Sequence, residues 1–399
     1  MSDGVRYPAG HVLLRNLQRE LPVIARGDGV YLYDRTGKRY FDASSGAYVA
    51  SVGHGNREVA DAIAEQLGRV AYVNGTQFTS EPTEALATRL AAYAQREIPD
   101  AKLSRASFLC SGSEVVEAAV KFVRQLWVER KQPERRKMVA RMPSYHGNTL
   151  YALSMGGRAY AKKLFGPLLS EILTVPAPVR RLSELADFER DGAEHYAKQL
   201  EELIAREGAS TIAGFIAEPV IGSSAGAAVP PRGYFARIRE VCDRHGILII
   251  ADEVLCGVGR CGDFFASKPT GCTPDVLVLG KGIGAGYAPL SVLMAREDHV
   301  AEMARGSGNF SHAQTYMMAP SITAAGIAVL DYFERHDVLA NAKTVGAQLQ
   351  TKLQERLMQL PFVGHVQGLG LLAGVELVAD KATNAPFARE RLVTERLVA

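Results

Sequence analysis

Apolar residues in this chain gather into short runs, and between the runs they repeat once per helical turn. Ala106–Cys110, Lys137–Ala140, Ile212–Ala217, Ile247–Ala251 and Val276–Leu279 are the short runs. They are largely apolar throughout rather than alternating, which reads as strands buried on both faces. Glu58–Gly68 has apolar residues at 59, 63 and 67, and Thr83–Ala94 repeats that face. A longer amphipathic stretch follows Ser111-Gly112-Ser113 to about Arg130, and Tyr234–His245 is helical, with Gly246 as its stop. Strands alternating with helices predict an α/β fold with a mainly parallel sheet between helices. Earlier, Val30–Tyr33 and Arg39–Phe41 flank a turn containing Gly37, a hairpin pattern. After about residue 315 the pattern changes to long helices, then a strand at Leu371–Val378, so a second domain is expected to begin there. Val276–Ala295 is the longest apolar stretch, but it carries Lys281 among glycines. A membrane span would bury that ammonium at high cost, so the stretch reads as a strand and a glycine-rich loop.

Composition narrows the class. The 399 residues suggest two or three domains. With 47% hydrophobic and 22% charged residues, disorder, collagen and small disulfide scaffolds are excluded. A net charge of +3 gives no reason to expect nucleic acid or an anionic membrane as partner. The five cysteines form no Cys-x-x-Cys and no histidine completes a zinc spacing, so no metal site is expected. They read as reduced thiols of a cytoplasmic protein, and Met1–Gly10 lacks a signal-peptide pattern.

Three of the runs end in charged residues: Glu218, Asp252 and Lys281. In an open α/β sheet, ligands bind outside the carboxyl ends of the strands, so all three would share one rim. Any one of them could be an ordinary cap or a solvated lysine; three on one rim favour a site. Lys281 lies between an apolar run and small residues. Desolvation there lowers the pKa of an amine and frees it as a nucleophile. Ser111-Gly112-Ser113-Glu114 has capping-box spacing at a strand–helix junction. It serves either as a plain cap or as a phosphate site at a helix N-terminus. Tyr145-His146-Gly147 offers an aromatic face after a strand.

A nucleophilic lysine, a strand-end aspartate, a phosphate-binding helix start and an aromatic platform are what pyridoxal phosphate (PLP) requires. The sequence also resembles the class III (omega) aminotransferases of PLP fold type I. The likeness rests on Ile249-Ile250-Ala251-Asp252-Glu253-Val254, Gly257–Gly262, Asp275-Val276 and Gly280-Lys281. It continues through Asp42–Gly46, Gly53-His54-Gly55, Tyr145–Thr149, Glu218–Gly222 and Pro230–Tyr234. It implies a mainly parallel seven-stranded sheet in a large PLP-binding domain, residues 56–315. A smaller α+β domain would be built from residues 1–55 and 316–399. By the same resemblance, Lys281 would hold the cofactor covalently and shuttle the proton, and Asp252 would face the pyridine nitrogen. Tyr145 and Val254 would press on the two ring faces, and Ser111, Gly112 and Ser113 would hold the phosphate. His146 and Glu218 would complete the cofactor site. Thr315 would reach the phosphate in a second copy, making a homodimer with a shared active site. Tyr48, Phe78 and Glu218 would line the substrate pocket. The implied reaction is ping-pong transfer of an amino group from an amine or omega-amino acid to an oxo acid such as pyruvate or 2-oxoglutarate. Aminomutases, racemases and decarboxylases of the class use the same Schiff-base chemistry.

Two departures from the family pattern stand out. Gln367 occupies the place of an arginine that in some members pairs with the glutamate matching Glu218. Glu218 is therefore expected to lack that partner and to tune the pocket for a substrate amine or hydroxyl. Family members also continue for several tens of residues after Gly368–Leu377. Ending at Ala399, in what reads as the middle of a helix, the chain is expected to lack the last strands of the small domain.

Overall fold

A computed structural model describes residues 4–398. The N-terminal part contains a three-stranded antiparallel sheet, β1 (Ile24–Asp28), β2 (Tyr31–Asp34) and β3 (Arg39–Phe41). Asp34 closes the turn of the expected hairpin: its Oδ1 accepts the N–H groups of Thr36 at 2.9 Å and Lys38 at 3.0 Å. Two helices follow, α1 (Arg57–Arg69) and α2 (Glu81–Glu97). The Asn56 side chain caps α1 by accepting the Val59 N–H at 3.3 Å.

The centre is a seven-stranded sheet. Its strands are β4 (Leu103–Leu109), β5 (Lys137–Met142), β6 (Leu173–Pro176), β7 (Ile212–Ala217), β8 (Leu248–Asp252), β9 (Val276–Leu279) and β10 (Ser291–Arg296). Their order across the sheet is β4-β10-β9-β8-β7-β5-β6. Strand β10 runs antiparallel to both neighbours, and the other pairings are parallel. The stretch read as a strand and a loop thus holds a second strand. The chain reverses after Lys281, and Val292–Ala295 pairs back onto β9.

Side chains alternate between two cores, as the pleat requires. Phe215, Ile249, Leu277 and Met294 join the core on one face; Ile216, Ile250, Val278 and Leu293 join that on the other. The second face is covered by α3 (Gly112–Glu129), which buries Val115, Phe122, Leu126 and Trp127. The first is covered by α4 (Phe188–Glu207) and α5 (Tyr234–His245), among others. Two long helices come next, α6 (Pro320–Arg335) and α7 (Val338–Leu357). Helix α6 packs on α1 and α2, and its Ile322, Val329 and Phe333 enter the first core. An antiparallel sheet of β11 (Val363–Leu369), β12 (Leu372–Asp380) and β13 (Ala385–Pro386) follows, and a short helix, α8 (Val393–Val398), ends the described chain. Among the described residues no helix is long and apolar enough to cross a membrane.

Glu253, next to the end of β8, is fully buried and anchors the rim from behind. Its Oε1 accepts the Ser267 N–H at 2.8 Å and its Oε2 the Ala266 N–H at 2.7 Å. Burial pushes its carboxyl up from 4.5 to about 7. Glu253 therefore favours the folded state most below pH 4.5, where it is protonated folded and unfolded alike. That contribution is lost as the pH rises through about 7, by roughly 3 kcal/mol. Glu253→Gln is expected to be less stable at pH 5, because an amide N–H2 must face a backbone N–H. It should also decline less between pH 5 and 7.5. Urea unfolding at the two pH values measures both effects; an unchanged pH slope would contradict this account of the carboxyl.

Candidate active site

The three strand-end residues meet. Glu218 follows β7, Asp252 ends β8 and Lys281 stands two residues beyond β9, and these strands are neighbours in the sheet. All three line one cavity of about 190 Å³. Lys281 has φ 43°, in the left-handed region that a side chain enters at a cost. Burial lowers the pKa of its ammonium, and the nearby Asp252 carboxylate opposes that shift. The amine is thereby moved toward its nucleophilic form.

Asp252 is 3% exposed. Its Oδ2 accepts from His146 Nδ1 at 2.7 Å and its Oδ1 from the Val254 N–H at 3.1 Å. The imidazole is buried, and its Nε2 has no partner among the described residues. A buried carboxylate held on two sides keeps its direction for whatever enters the cavity.

Ser111 caps α3 in the expected way: its Oγ accepts the Glu114 N–H at 3.2 Å. The Glu114 carboxylate reaches back to the Cys110 N–H at 3.1 Å, one residue earlier than the capping box requires. The first-turn N–H groups of Gly112 and Ser113 lie at the helix end that attracts anions. Ser113 Oγ accepts the Asn148 N–H at 2.9 Å, tying the Tyr145–Asn148 loop to this helix start. Gly112 keeps the cradle open: a Cβ there would stand 2.7 Å from Val254 Cγ1. Gly112→Ala is expected to weaken binding of a phosphate-bearing cofactor by roughly 10-fold, within the usual cost of overpacking. Absorbance titration of the apoprotein with PLP reads the change; an unaltered affinity would show that Val254 simply gives way.

Glu218 is buried, and burial raises its carboxyl pKa, with the nearby His146 acting in the opposite direction. Its Oε1 accepts the Gly222 N–H at 3.2 Å and its Oε2 the Tyr145 N–H at 3.4 Å. The structure also supplies a cation for it. Arg141, at the end of β5 and fully buried, donates to the Glu218 carbonyl, and its charge favours the ionised carboxylate. Gln367 instead donates to the carbonyls of Ala225 at 2.9 Å and Gly226 at 3.0 Å, fastening β11 to the loop after β7.

Ser111, Gly112, Ser113, Tyr145, His146 and Val254 all line the same cavity as the three charged residues. Tyr48, Phe78 and Thr315 do not. Tyr48 lines a neighbouring cavity with Arg260, Phe78 is 63% exposed, and Thr315 is exposed before α6. Sequence reasoning missed Arg141, although a charge at the end of β5 is the same signal that marked Glu218 and Asp252. It also missed Ser223, which lines the cavity, and Arg158, whose guanidinium covers the Tyr145 ring at 3.9 Å.

Residues 15–397 match the family model described as "Aminotransferase class-III". The chain belongs to the class III aminotransferases. An uncharacterised aminotransferase of Bacillus subtilis, YodT, is 39% identical over 391 residues, covering 98% of this chain and 86% of the relative. Taurine–pyruvate aminotransferase of Bilophila wadsworthia is 34% identical over 384 residues, 95% of this chain and 82% of the relative. An (S)-enantioselective omega-transaminase from Thermomicrobium roseum superposes with a TM-score of 0.88 at 37% identity, over 95% of this chain and 84% of its own. A PLP-bound amine transaminase from an uncultivated Pseudomonas species gives 0.89 at 37% identity, over 97% and 87%. The omega transaminase of Pseudomonas jessenii, solved with PMP, gives 0.87 at 33% identity, over 92% and 81%. The fold is PLP fold type I, and the protein is an aminotransferase of a PLP-dependent class. The cavity of this aminotransferase suits that cofactor on its own terms: an open glycine cradle at a helix start, a buried lysine and a fixed buried carboxylate.

Proposed function

We propose that this aminotransferase binds PLP in the strand-end cavity and moves an amino group from an amine or omega-amino acid to pyruvate or 2-oxoglutarate by a ping-pong mechanism. The observation that carries the reading is the meeting of Lys281 and Asp252 in one cavity with the start of α3. Bound there, PLP supplies an electron sink for charge developing at the substrate carbon. Lys281 Nζ would hold the cofactor between turnovers and, once released, carry the proton to and from that carbon. Its lowered pKa suits both tasks. The Asp252 carboxylate would stay paired with the pyridine nitrogen, and His146 would keep it aimed. Ser111, Gly112 and Ser113 would take the phosphate, with Tyr145 and Val254 against the ring. Glu218, with Tyr48 and Phe78, would shape the substrate side.

In the same reading the enzyme works in the cytoplasm as a homodimer, the exposed Thr315 completing the phosphate site of a second copy. Half-reaction kinetics test the function. A donor alone should exhaust one equivalent of enzyme-bound amino acceptor, an oxo acid should restore it, and double-reciprocal plots should be parallel. Product formed from the donor without an acceptor, or release of carbon dioxide, would point instead to a mutase, racemase or decarboxylase.

A further inference from the structure

Asp42–Gly46 and Gly53-His54-Gly55 belong to the family pattern, yet neither segment lines the catalytic cavity. The two meet in the fold. Asp42 Oδ2 lies 2.8 Å from His54 Nε2, and Asp42 Oδ1 accepts the Gly46 N–H at 2.7 Å. The His54 backbone is fixed by paired bonds with Gly29, at 2.8 and 2.9 Å. Burial works to raise the Asp42 carboxyl, but the bonds from Gly46 and His54 prevail and hold it below its ordinary value. Between the two ends the chain is strained. Ser45 has φ 51° and Tyr48 φ 63°, both left-handed and neither a glycine. This loop carries Tyr48 onto a cluster that includes Val220 and Cys256, two residues of the catalytic cavity. Its far end is tied to the loop after Lys281, where Tyr287 Oη donates to the Gly53 carbonyl at 2.9 Å.

We propose that Asp42 and His54 are a positioning pair, a clasp that holds Tyr48 against the wall of the catalytic cavity and so sets how large a group the donor can carry beside its amine. The proposal rests on the reading above in which Tyr48 shapes the substrate side. Two side-chain-bearing residues in the left-handed region do not stay there unaided; bonds made elsewhere must over-determine them. The Asp42 carboxylate acts at both ends of the loop. One oxygen fixes Gly46, and the other fastens His54. With the clasp open the loop relaxes, and Tyr48 loses its place against Val220 and Cys256. A large donor group packed on Tyr48 would feel that change, and a methyl group that does not reach it would not. Neither Asp42 nor His54 lines the cavity that holds Lys281 and Asp252, so the effect falls on KM rather than on kcat.

The test compares 1-phenylethylamine with 2-aminopropane as donors to the holoenzyme; they differ by phenyl in place of methyl. His54→Ala is expected to raise KM for the phenyl donor by about 10-fold, the scale of one hydrogen bond to a charged group, with kcat and both constants of 2-aminopropane changed by less than about 3-fold. His54→Gln, whose amide can still donate to Asp42, should recover part of the loss. The double variant Asp42→Ala/His54→Ala should lose no more than Asp42→Ala alone, because one bond joins the pair. Amide hydrogen exchange at Ser45–Val49, which needs no turnover, should be faster in His54→Ala. Equal losses for the two donors, an unchanged KM or unchanged exchange would each overturn the proposal. Tyr48→Ala separates the two levels of the argument. A donor ratio changed in Tyr48→Ala but not in His54→Ala would overturn the clasp and leave the role of Tyr48 standing. A ratio unchanged in Tyr48→Ala would overturn that role, and the clasp with it. A wild-type enzyme that turns over neither donor would overturn the transamination reading on which both depend.

Discussion

Lys281→Ala is expected to lose transamination by on the order of 10⁴-fold or more while the protein stays folded. Lys281 is the lysine that lines the cavity, and burial has already lowered the pKa of its ammonium. Alanine removes the nucleophile and the proton carrier together. The fold should survive, because the Lys281 head faces a cavity rather than the packed core and the β9 pairings precede it. Alanine must still accept the positive φ at this position, so a modest fall in melting temperature is expected. Lys281→Arg sharpens the test. It keeps a positive charge beside Asp252 but offers no nucleophilic amine, so its loss should match that of alanine. Steady-state assays with circular dichroism on both variants measure this. An arginine variant with more than a few per cent of wild-type activity would show that charge, not amine chemistry, is what Lys281 contributes.

Asp252→Asn should cost roughly 10³-fold in kcat, the upper range for removing one oriented electrostatic group from an active site. The change is nearly isosteric, so the hydrogen bond from the Val254 N–H can persist. What is lost is the negative charge that faces His146 Nδ1 at 2.7 Å and acts on Lys281. The Lys281 ammonium should consequently lose a stabilising neighbour and titrate lower still. The pH dependence of PLP capture by the apoprotein, which needs the free amine, would then shift to lower pH. Asp252→Glu restores the charge but not the position and should recover only part of the rate. An asparagine variant within about 10-fold of wild type in kcat would contradict a charge-based role.

The fold was legible where patterning is strong. Ile212–Ala217, Val276–Leu279 and Tyr234–His245 were expected at the bounds the structure shows. The first two are buried on both faces, and Gly246 ends the helix in a left-handed cap. Ser291–Arg296 was hidden because one long apolar stretch joins it to β9 through glycines, with no polar boundary. Leu173–Pro176 was hidden for the opposite reason: it is a short edge strand with exposed residues at alternate positions. In the site, Glu218, Asp252 and Lys281 stood out because charge at the end of an apolar run is locally visible. Arg141 carries the same mark directly after the Lys137–Ala140 run, obscured because that run is short and itself opens on a lysine. Arg158 and Ser223 carry no local mark. They meet only because the loop after β7 and the segment before Tyr160 fold toward Tyr145. Asp34 and Gln367 illustrate the same limit, since their work is to hold turns and loops distant in the chain or closed locally.

Reduction of the PLP-loaded protein with borohydride, followed by proteolysis and mass measurement of the peptides, tests the central claim most directly. A single pyridoxyl-modified peptide, with the modification on Lys281, is the expected result. A modification on another lysine with Lys281 free, or no modification of a protein saturated with PLP, would contradict the account.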